Sequence, residues 1–248
     1  MCLIVFAWRP GHALPLLVAA NRDEFHARPS LPLARWEDAP SVYAGRDLEA
    51  GGTWLGIGAG GRFAALTNIR DPDQPQGLRS RGELTATFLK GDQSPLDYLN
   101  GLARQATQYS GFNLLVGDPR QLCYFNSREG EPRVLPAGIY GLSNARLDTP
   151  WPKLQRAKQA LTECLDAADS EQLLKLLADP QPAADAQLPD TGVGLATERL
   201  LSSVFIAGAH YGTRASTTLL VAANGQREMR ERSFGPAGAH LGEVRLQL

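Results

Sequence analysis

Cysteine is scarce in this sequence of 248 residues, and the three present, Cys2, Cys123 and Cys164, form no CxxC pair. An odd and sparse set argues against a disulfide framework and against a thiolate zinc site. The four histidines are scattered and show no HExxH or other paired spacing. We therefore expect a protein of a reducing compartment, with the cytoplasm as its default location, and neither a metal centre nor a resident cofactor.

An excess of one charge sign is also missing, as are long hydrophobic runs. The chain has 25 Lys and Arg against 26 Asp and Glu, a net charge of −1, and therefore no basic surface for nucleic acid. The apolar run Leu3 to Ala7 is too short for a signal sequence, and no basic residue precedes it. No window approaches the roughly 18 apolar residues that a membrane helix needs. We expect no nucleic-acid partner and no stable membrane insertion, and the oligomeric state stays open.

The remaining composition, 43% hydrophobic and 21% charged residues, is ordinary for a globular protein. Strands are predicted over residues 2–8 and 15–20, a proline-rich loop over 27–40, and a further loop over 209–214. The whole order is a β-rich block, two helices, a second β-rich block, two or three helices and a closing hairpin. Such segregated blocks favour a layered α+β architecture, and no linker divides the chain, so a single domain over 1–248 is expected.

The start of the chain carries the first chemical signal. Cys2 follows the initiator Met1 and opens an apolar, strand-like run. If Met1 is removed, Cys2 carries a thiol together with an α-amine, whose usual pKa of about 8 leaves part of it neutral near pH 7. One residue then supplies both nucleophile and base, which is the logic of N-terminal nucleophile enzymes. The alternative is a small residue buried in the first strand.

Several longer motifs resemble one family. They are MCLIVF at 1–6, ANRDEFHARP at 20–29, GGTWLGI at 51–57, RFAALTNIRDP at 62–72, GFNLLVGD at 111–118, GLSNARLDTPWPK at 141–153 and YGTRASTTLLV at 211–221. Together they are similar to the NRDE-motif family, also called Transport and Golgi organisation 2-like, from residue 1 to about 234. That family in turn resembles, more distantly, the cysteine N-terminal nucleophile hydrolases that cleave linear amides, among them bile salt hydrolases and penicillin V acylases.

This resemblance implies a four-layer αββα sandwich of the N-terminal nucleophile hydrolase type. It also implies a site with an N-terminal cysteine, an Arg and an Asp after the second strand, two asparagines and a late arginine. Six positions of this sequence match that site: Cys2, Arg22, Asp23, Asn68, Asn144 and Arg214. The order of residues around Arg22 differs from the hydrolases, so Glu24 remains a possible substitute for Asp23.

These residue types suit acyl transfer to a thiolate. An arginine near Cys2 lowers the pKa of its thiol, and amide N–H groups such as those of Asn68 and Asn144 stabilise an oxyanion. Each also has a structural alternative. Arg22 with Asp23 or Glu24 could be a structural ion pair that closes a hairpin. Asn68 and Asn144 could satisfy backbone groups at strand ends, and Arg214 could be a solvated surface charge.

Two function classes follow. The first is a cysteine amidohydrolase that cleaves a small linear amide through an acyl-Cys2 intermediate. The second, implied by the resemblance alone, is a non-catalytic carrier of haem or an acyl lipid in the same cleft, with His12, His26, His210 or Cys2 as axial ligand. A structural role without any ligand is the third possibility. Removal of Met1 separates the first two, because only the hydrolase requires it.

Overall fold

A computed structural model describes residues 2–248. The chain forms two compact units, one of residues 2–27, 70–72 and 137–248, the other of residues 28–69 and 73–136. Each unit contains one antiparallel sheet and its own helices. The prediction of a single domain over 1–248 stays a prediction.

The first unit contains a six-stranded sheet in the order β10-β1-β2-β11-β12-β13. Its strands and helices are β1 (Cys2–Trp8), β2 (Leu16–Phe25), β10 (Gly138–Leu142), α3 (Pro152–Cys164), α4 (Ser170–Leu176), α5 (Leu195–Leu200), β11 (Tyr211–Val221), β12 (Arg227–Phe234) and β13 (His240–Gln247).

The core of this unit lies between the sheet and the helices α3 and α4. Side chains of one face of β1 and β2, such as Leu3, Val5 and Leu17, pack against Leu154 and Leu161 of α3. Alternate residues of a strand point to opposite faces, and residues three or four apart share one side of a helix, so both patterns supply an apolar surface. Burial of one leucine contributes about 2 kcal/mol, which makes this core the main support for the sheet.

The second unit contains a seven-stranded sheet in sequential order from β3 to β9. Its elements are β3 (Ser30–Arg35), β4 (Tyr43–Asp47), β5 (Leu55–Ile57), β6 (Phe63–Asn68), α1 (Gly82–Lys90), α2 (Pro95–Ala103), β7 (Phe112–Gly117), β8 (Leu122–Asn126) and β9 (Arg133–Val134). An apolar core that includes Phe88, Leu99, Phe112 and Phe125 lies between α1, α2 and the sheet.

Three segments differ from the sequence prediction. The predicted loop 27–40 contains β3, an edge strand that accommodates Pro32 at an irregularity between Leu31 and Ala34. Edge strands tolerate proline because one side of the strand needs no hydrogen bonds. β2 continues to Phe25 instead of ending at 20, and β11 begins at Tyr211 inside the predicted loop 209–214, because these two polar ends pair with each other.

Candidate active site

Cys2 is the first residue of β1, between β10 and β2 in the first unit's sheet. The strand register pairs Cys2 with Arg22 of β2. On the other side, Ser143 Oγ donates a 3.1 Å hydrogen bond to the backbone carbonyl of Cys2. The side chain is half-buried and forms no disulfide. Met1, whose removal the nucleophile hypothesis requires, lies outside the described residues.

The protein around the thiol disfavours its ionised form. Desolvation raises the pKa of the Cys2 thiol, and the nearby Asp23 carboxylate raises it further. The Arg22 guanidinium and a hydrogen bond from the backbone of Asp23 act in the opposite direction and lower that pKa. Because the thiolate is the attacking species, this cysteine needs a base or an added cation to react at neutral pH.

The polar run after residue 20 is part of β2, so its side chains alternate between the two faces of the sheet. Asn21 is 1% exposed, and its Nδ2 donates to the carbonyls of Leu177 (2.9 Å) and Val204 (2.8 Å). Its Oδ1 accepts a 2.6 Å hydrogen bond from Ser216 Oγ. Asn21 therefore ties β2 to the segments that follow α4 and α5.

Arg22 and Asp23 take different positions. Arg22 shares the face of Cys2 by register, and its Nη2 lies 3.9 Å from Glu24 Oε2. Asp23 is 1% exposed, its Oδ1 accepts a 2.8 Å hydrogen bond from Thr213 Oγ1, and burial raises its pKa. Of the two acids, Asp23 is the one whose charge raises the pKa of the Cys2 thiol, and the choice between Asp23 and Glu24 stays a prediction.

Arg214 occupies a β-bulge. The pairing of β11 with β2 changes register at this residue, which re-aims its side chain relative to a regular strand. Its Nη1 donates to the carbonyls of Phe25 (2.9 Å) and His26 (3.3 Å). Desolvation and the charge of Arg22 lower the pKa of Arg214, and Glu24 raises it. The late arginine thus lies within electrostatic range of the acidic and basic residues of β2.

Asn144 lies on the opposite flank of Cys2. It is 1% exposed and follows β10 after Ser143, whose Oγ is 3.2 Å from Asn144 Oδ1. The Asn144 carbonyl accepts a 2.7 Å hydrogen bond from the backbone N–H of Arg70. Cys2 therefore has an amide on its β10 side and a guanidinium on its β2 side.

Asn68, the sixth predicted residue, belongs to the other unit. It is the last residue of β6, pairs with Phe112 across the ladder and is half-buried. Its role beside Cys2 stays a prediction.

Sequence reasoning missed an ion pair of the first unit. Arg70 Nη1 donates a 2.5 Å hydrogen bond to Glu198 Oε2, and both side chains are only 4% exposed. The guanidinium lies 4.6 Å from the centre of the Trp151 ring, and Glu198 Oε1 also accepts from the backbone and hydroxyl of Thr191. The available signal was the place of Arg70 within the RFAALTNIRDP motif.

Sequence reasoning also missed Lys153, which is 2% exposed. Its position shares the buried face of α3 with Leu154, Ala157 and Leu161, where the helical period calls for an apolar residue. Burial lowers the pKa of Lys153 to about 8, while the charge of Asp23 raises it. A lone lysine on an apolar stripe was the signal in the sequence.

No group of three or more His, Cys, Asp or Glu within residues 2–248 is arranged to hold a metal ion. The helices of this described part are all too short or too polar to cross a lipid bilayer.

Comparison with known proteins gives relatives along almost the whole chain. The family model for Transport and Golgi organisation 2 matches residues 1–236. The Transport and Golgi organization 2 homologs of Mus musculus and Homo sapiens are each 39% identical, over 94% of this chain and 93% of their own. The Drosophila melanogaster protein of that name is 31% identical, over 89% of this chain and 88% of its own.

Two solved structures share the fold. The mutant C2A conjugated bile acid hydrolase from Clostridium perfringens matches with a TM-score of 0.57 and 6% identity, over 100% of this chain and 92% of that one. The Caenorhabditis elegans N-acylethanolamine-hydrolyzing acid amidase ortholog matches with a TM-score of 0.52 and 12% identity, over 88% of this chain and 92% of that one. The predicted α+β fold of the N-terminal nucleophile hydrolase type is confirmed.

Proposed function

This chain belongs to the Transport and Golgi organisation 2 family, and from the surroundings of Cys2 we propose that it is a cysteine amidohydrolase that cleaves a small linear amide. The observation that carries the proposal is the position of the thiol at the end of β1. Cys2 is paired with Arg22 by register on one side, and on the other side Ser143 Oγ donates a hydrogen bond to its backbone carbonyl. The names of the two structural relatives, a bile acid hydrolase and an acid amidase, support an amide substrate.

The proposed reaction begins after Met1 is removed. The α-amine of Cys2 takes the thiol proton, and the thiolate forms a bond to the amide carbon while the carbonyl electrons move onto oxygen. The Asn144 amide donates to that oxyanion, a contribution of about 3–4 kcal/mol for one such donor. Reformation of the carbonyl breaks the C–N bond, and the leaving amine takes the proton from the α-ammonium. Water then cleaves the thioester and releases the acid.

The charged residues around Cys2 have separate roles in this scheme. Arg22 favours the thiolate, since its guanidinium lowers the thiol pKa. Asp23 holds and orients the α-amine of the mature chain. Arg214, on its bulge, is proposed to bind the polar end of the substrate. Asn68 is retained as the second proposed oxyanion donor on the strength of the family resemblance.

The test combines intact mass with acyl labelling. The purified protein is expected to lack Met1, and a thiol-reactive activated amide or ester is expected to acylate Cys2, with the label found on the N-terminal peptide. Cys2→Ala should abolish the label. Cys164→Ala, which removes the other half-buried thiol, is the matched control and should leave it unchanged. Retention of Met1, or equal labelling of the Cys2→Ala protein, would contradict the proposal.

One observation supports the carrier alternative. Phe25, two residues after Asp23, is 59% exposed, and its ring lies 5.2 Å from that of Tyr211. The Tyr211 hydroxyl donates a 3.0 Å hydrogen bond to the Asp23 carbonyl, so an exposed ring packed on a half-buried one borders the charged site. Such a surface suits an apolar ligand.

The histidines restrict the haem version of this alternative. His26 Nε2 is 3.1 Å from the Gly208 carbonyl and its Nδ1 is buried. His12 follows Trp8, the far end of β1, which lies about 20 Å from Cys2 at 3.3 Å per residue. Exposed His210, next to β11, is the histidine that suits an axial role. Titration with haem should then give a Soret shift that His210→Ala removes, and the absence of any shift would eliminate this version.

A further inference from the structure

Lys153 is held where a charged amine is costly in three ways. It is 2% exposed, and its Nζ has no hydrogen-bond partner among residues 2–248. It lies in the first turn of α3, directly after Pro152, where the positive end of the helix dipole disfavours a cation. A buried ammonium without a hydrogen-bond partner destabilises a fold, and an apolar residue at this position would avoid the cost. The first two observations are what a functional group, rather than a packing residue, would give.

The charges that surround Lys153 belong to the candidate active site. Its strongest charged neighbour is Asp23 of β2, followed by Arg70, by the Cys2 thiol of β1 and by Glu198 of α5. The effect is mutual, because Lys153 is also the charge that most lowers the pKa of Asp23. Asp23 and Lys153 are therefore a coupled acid–base pair in the interior of the first unit.

The space beside Lys153 suits a proton-handling group better than a ligand-binding one. The cavity lined by Lys153, Arg70, Trp151 and Glu198 has a volume of about 10 Å³. That is the size of one water molecule, so no substrate group enters from this side. We therefore expect the Lys153 ammonium to act on neighbouring protein groups through its charge.

We propose that Lys153 is a positioning residue whose ammonium compensates the charge of Asp23 and thereby keeps Cys2 reactive at neutral pH. This inference rests on the proposed role of Cys2 as nucleophile. Without Lys153, the uncompensated Asp23 carboxylate disfavours the thiolate and, in the mature chain, holds the α-amine in its protonated, non-basic form. With Lys153, two cations share one carboxylate, and each loses its proton more easily.

The pH dependence involves several charged groups around the Asp23–Lys153 pair. Asp23, Arg70, Glu198 and Cys2 act on Lys153, and Arg22 acts with Asp23 on the thiol. Tyr211 of β11 is in range of both Asp23 and Cys2, but burial and those two charges raise its pKa, so it stays neutral. Lys153 is then the group expected to titrate near pH 8.

The first test is the pH profile of Cys2 alkylation by iodoacetamide, read by mass spectrometry on the N-terminal peptide. In Lys153→Met the midpoint should move up by about one pH unit, so that alkylation at pH 7.5 is about tenfold slower. Lys175→Met, which removes an exposed lysine of α4, should leave the profile unchanged, and Cys164 serves as an internal thiol in each sample. An unchanged Cys2 midpoint in folded Lys153→Met protein would overturn the proposal.

A second test does not depend on that variant folding. The chain has four lysines, so their 13Cε resonances can be assigned by Lys→Arg changes at Lys90, Lys158 and Lys175. The Lys153 resonance should titrate near pH 8 in the wild type, and at clearly lower pH in Asp23→Asn, which removes the charge but keeps the shape. Equal midpoints in the two proteins would overturn the coupling. Neither test requires turnover, so failure of the amidohydrolase proposal is a separate result.

Discussion

Each unit contains a cluster of buried polar side chains, and the two clusters differ in charge. In the second unit, Asn113 Nδ2 donates to Thr67 Oγ1 (3.1 Å), and Asn113 Oδ1 accepts from Tyr124 OH (2.7 Å) and Asn126 Nδ2 (2.8 Å). All four side chains are neutral and at most 2% exposed. We call this group the amide cluster.

In the first unit, the charged cluster consists of Asp23, Arg70, Lys153 and Glu198. Burial raises the pKa of Asp23 and lowers those of Arg70 and Lys153, so each ionised form is held at a cost. Neutral groups that satisfy one another make a sheet specific and rigid. Buried ionisable groups whose pKa values are shifted against the charged form are typical of functional sites. We therefore expect a structural role for the amide cluster and, under the proposed function, a chemical role for the charged cluster.

The largest expected effect on stability comes from the ion pair of the charged cluster. Glu198→Gln removes the partner charge of Arg70 and leaves a guanidinium buried at 4% side-chain exposure. We expect a loss of about 3–5 kcal/mol in the free energy of unfolding, measured by urea denaturation. Glu163→Gln, at an exposed position of α3, is the control and should change little. A loss for Glu198→Gln no larger than the control would mean that this pair is solvated in solution.

Lys153→Met should raise the free energy of unfolding, whereas Glu198→Gln should lower it. The pKa of Lys153 falls from the usual 10.5 to about 8 on folding, so below pH 8 the folded state bears a cost of about 3 kcal/mol. Between pH 8 and 10.5 the unfolded chain binds the extra proton, and the stability of the wild type rises with pH.

The variant should therefore be more stable by about 3 kcal/mol at pH 7 and should lack this rise, as measured by unfolding from pH 7 to 10. Lys175→Met, exposed on α4, is the matched control. A destabilised Lys153→Met with a normal core would show that the ammonium is structurally required, and would move Lys153 to the same class as the amide cluster.

The smallest expected effect on stability comes from the amide cluster of the second unit. Asn113→Ala removes the oxygen that accepts hydrogen bonds from Tyr124 OH and Asn126 Nδ2, at a cost of about 2 kcal/mol. The melting temperature should therefore fall, while the rate of Cys2 alkylation in the folded protein stays at the wild-type value. A slower Cys2 reaction in this variant would show that the amide cluster also supports the site.

Much of this could be predicted from the sequence. The motifs around Cys2, Asn21 to Glu24 and Tyr211 to Val221 pointed to the family and to the fold of the N-terminal nucleophile hydrolases, and both are confirmed. The continuous apolar runs at 2–8 and 15–20 predicted strands, and the corresponding residues of β1 and β2 lie in the core. The wrong predictions concern segments that form strands through pairing with a neighbour despite their composition. β3 contains a proline and was predicted as a loop, and the polar start of β11 forms a strand because it pairs with the polar end of β2.

The sequence by itself determined which residues have the chemistry, since a thiol at position 2 and a run of charged residues after a strand are visible without coordinates. Only the tertiary structure decided which charges act on one another. Lys153 lies 130 residues from Asp23 in sequence, and nothing in the local pattern links them. The reason is physical: periodicity reports which face of an element is buried, whereas the pKa of a buried group depends on desolvation and on charges brought near it by other elements.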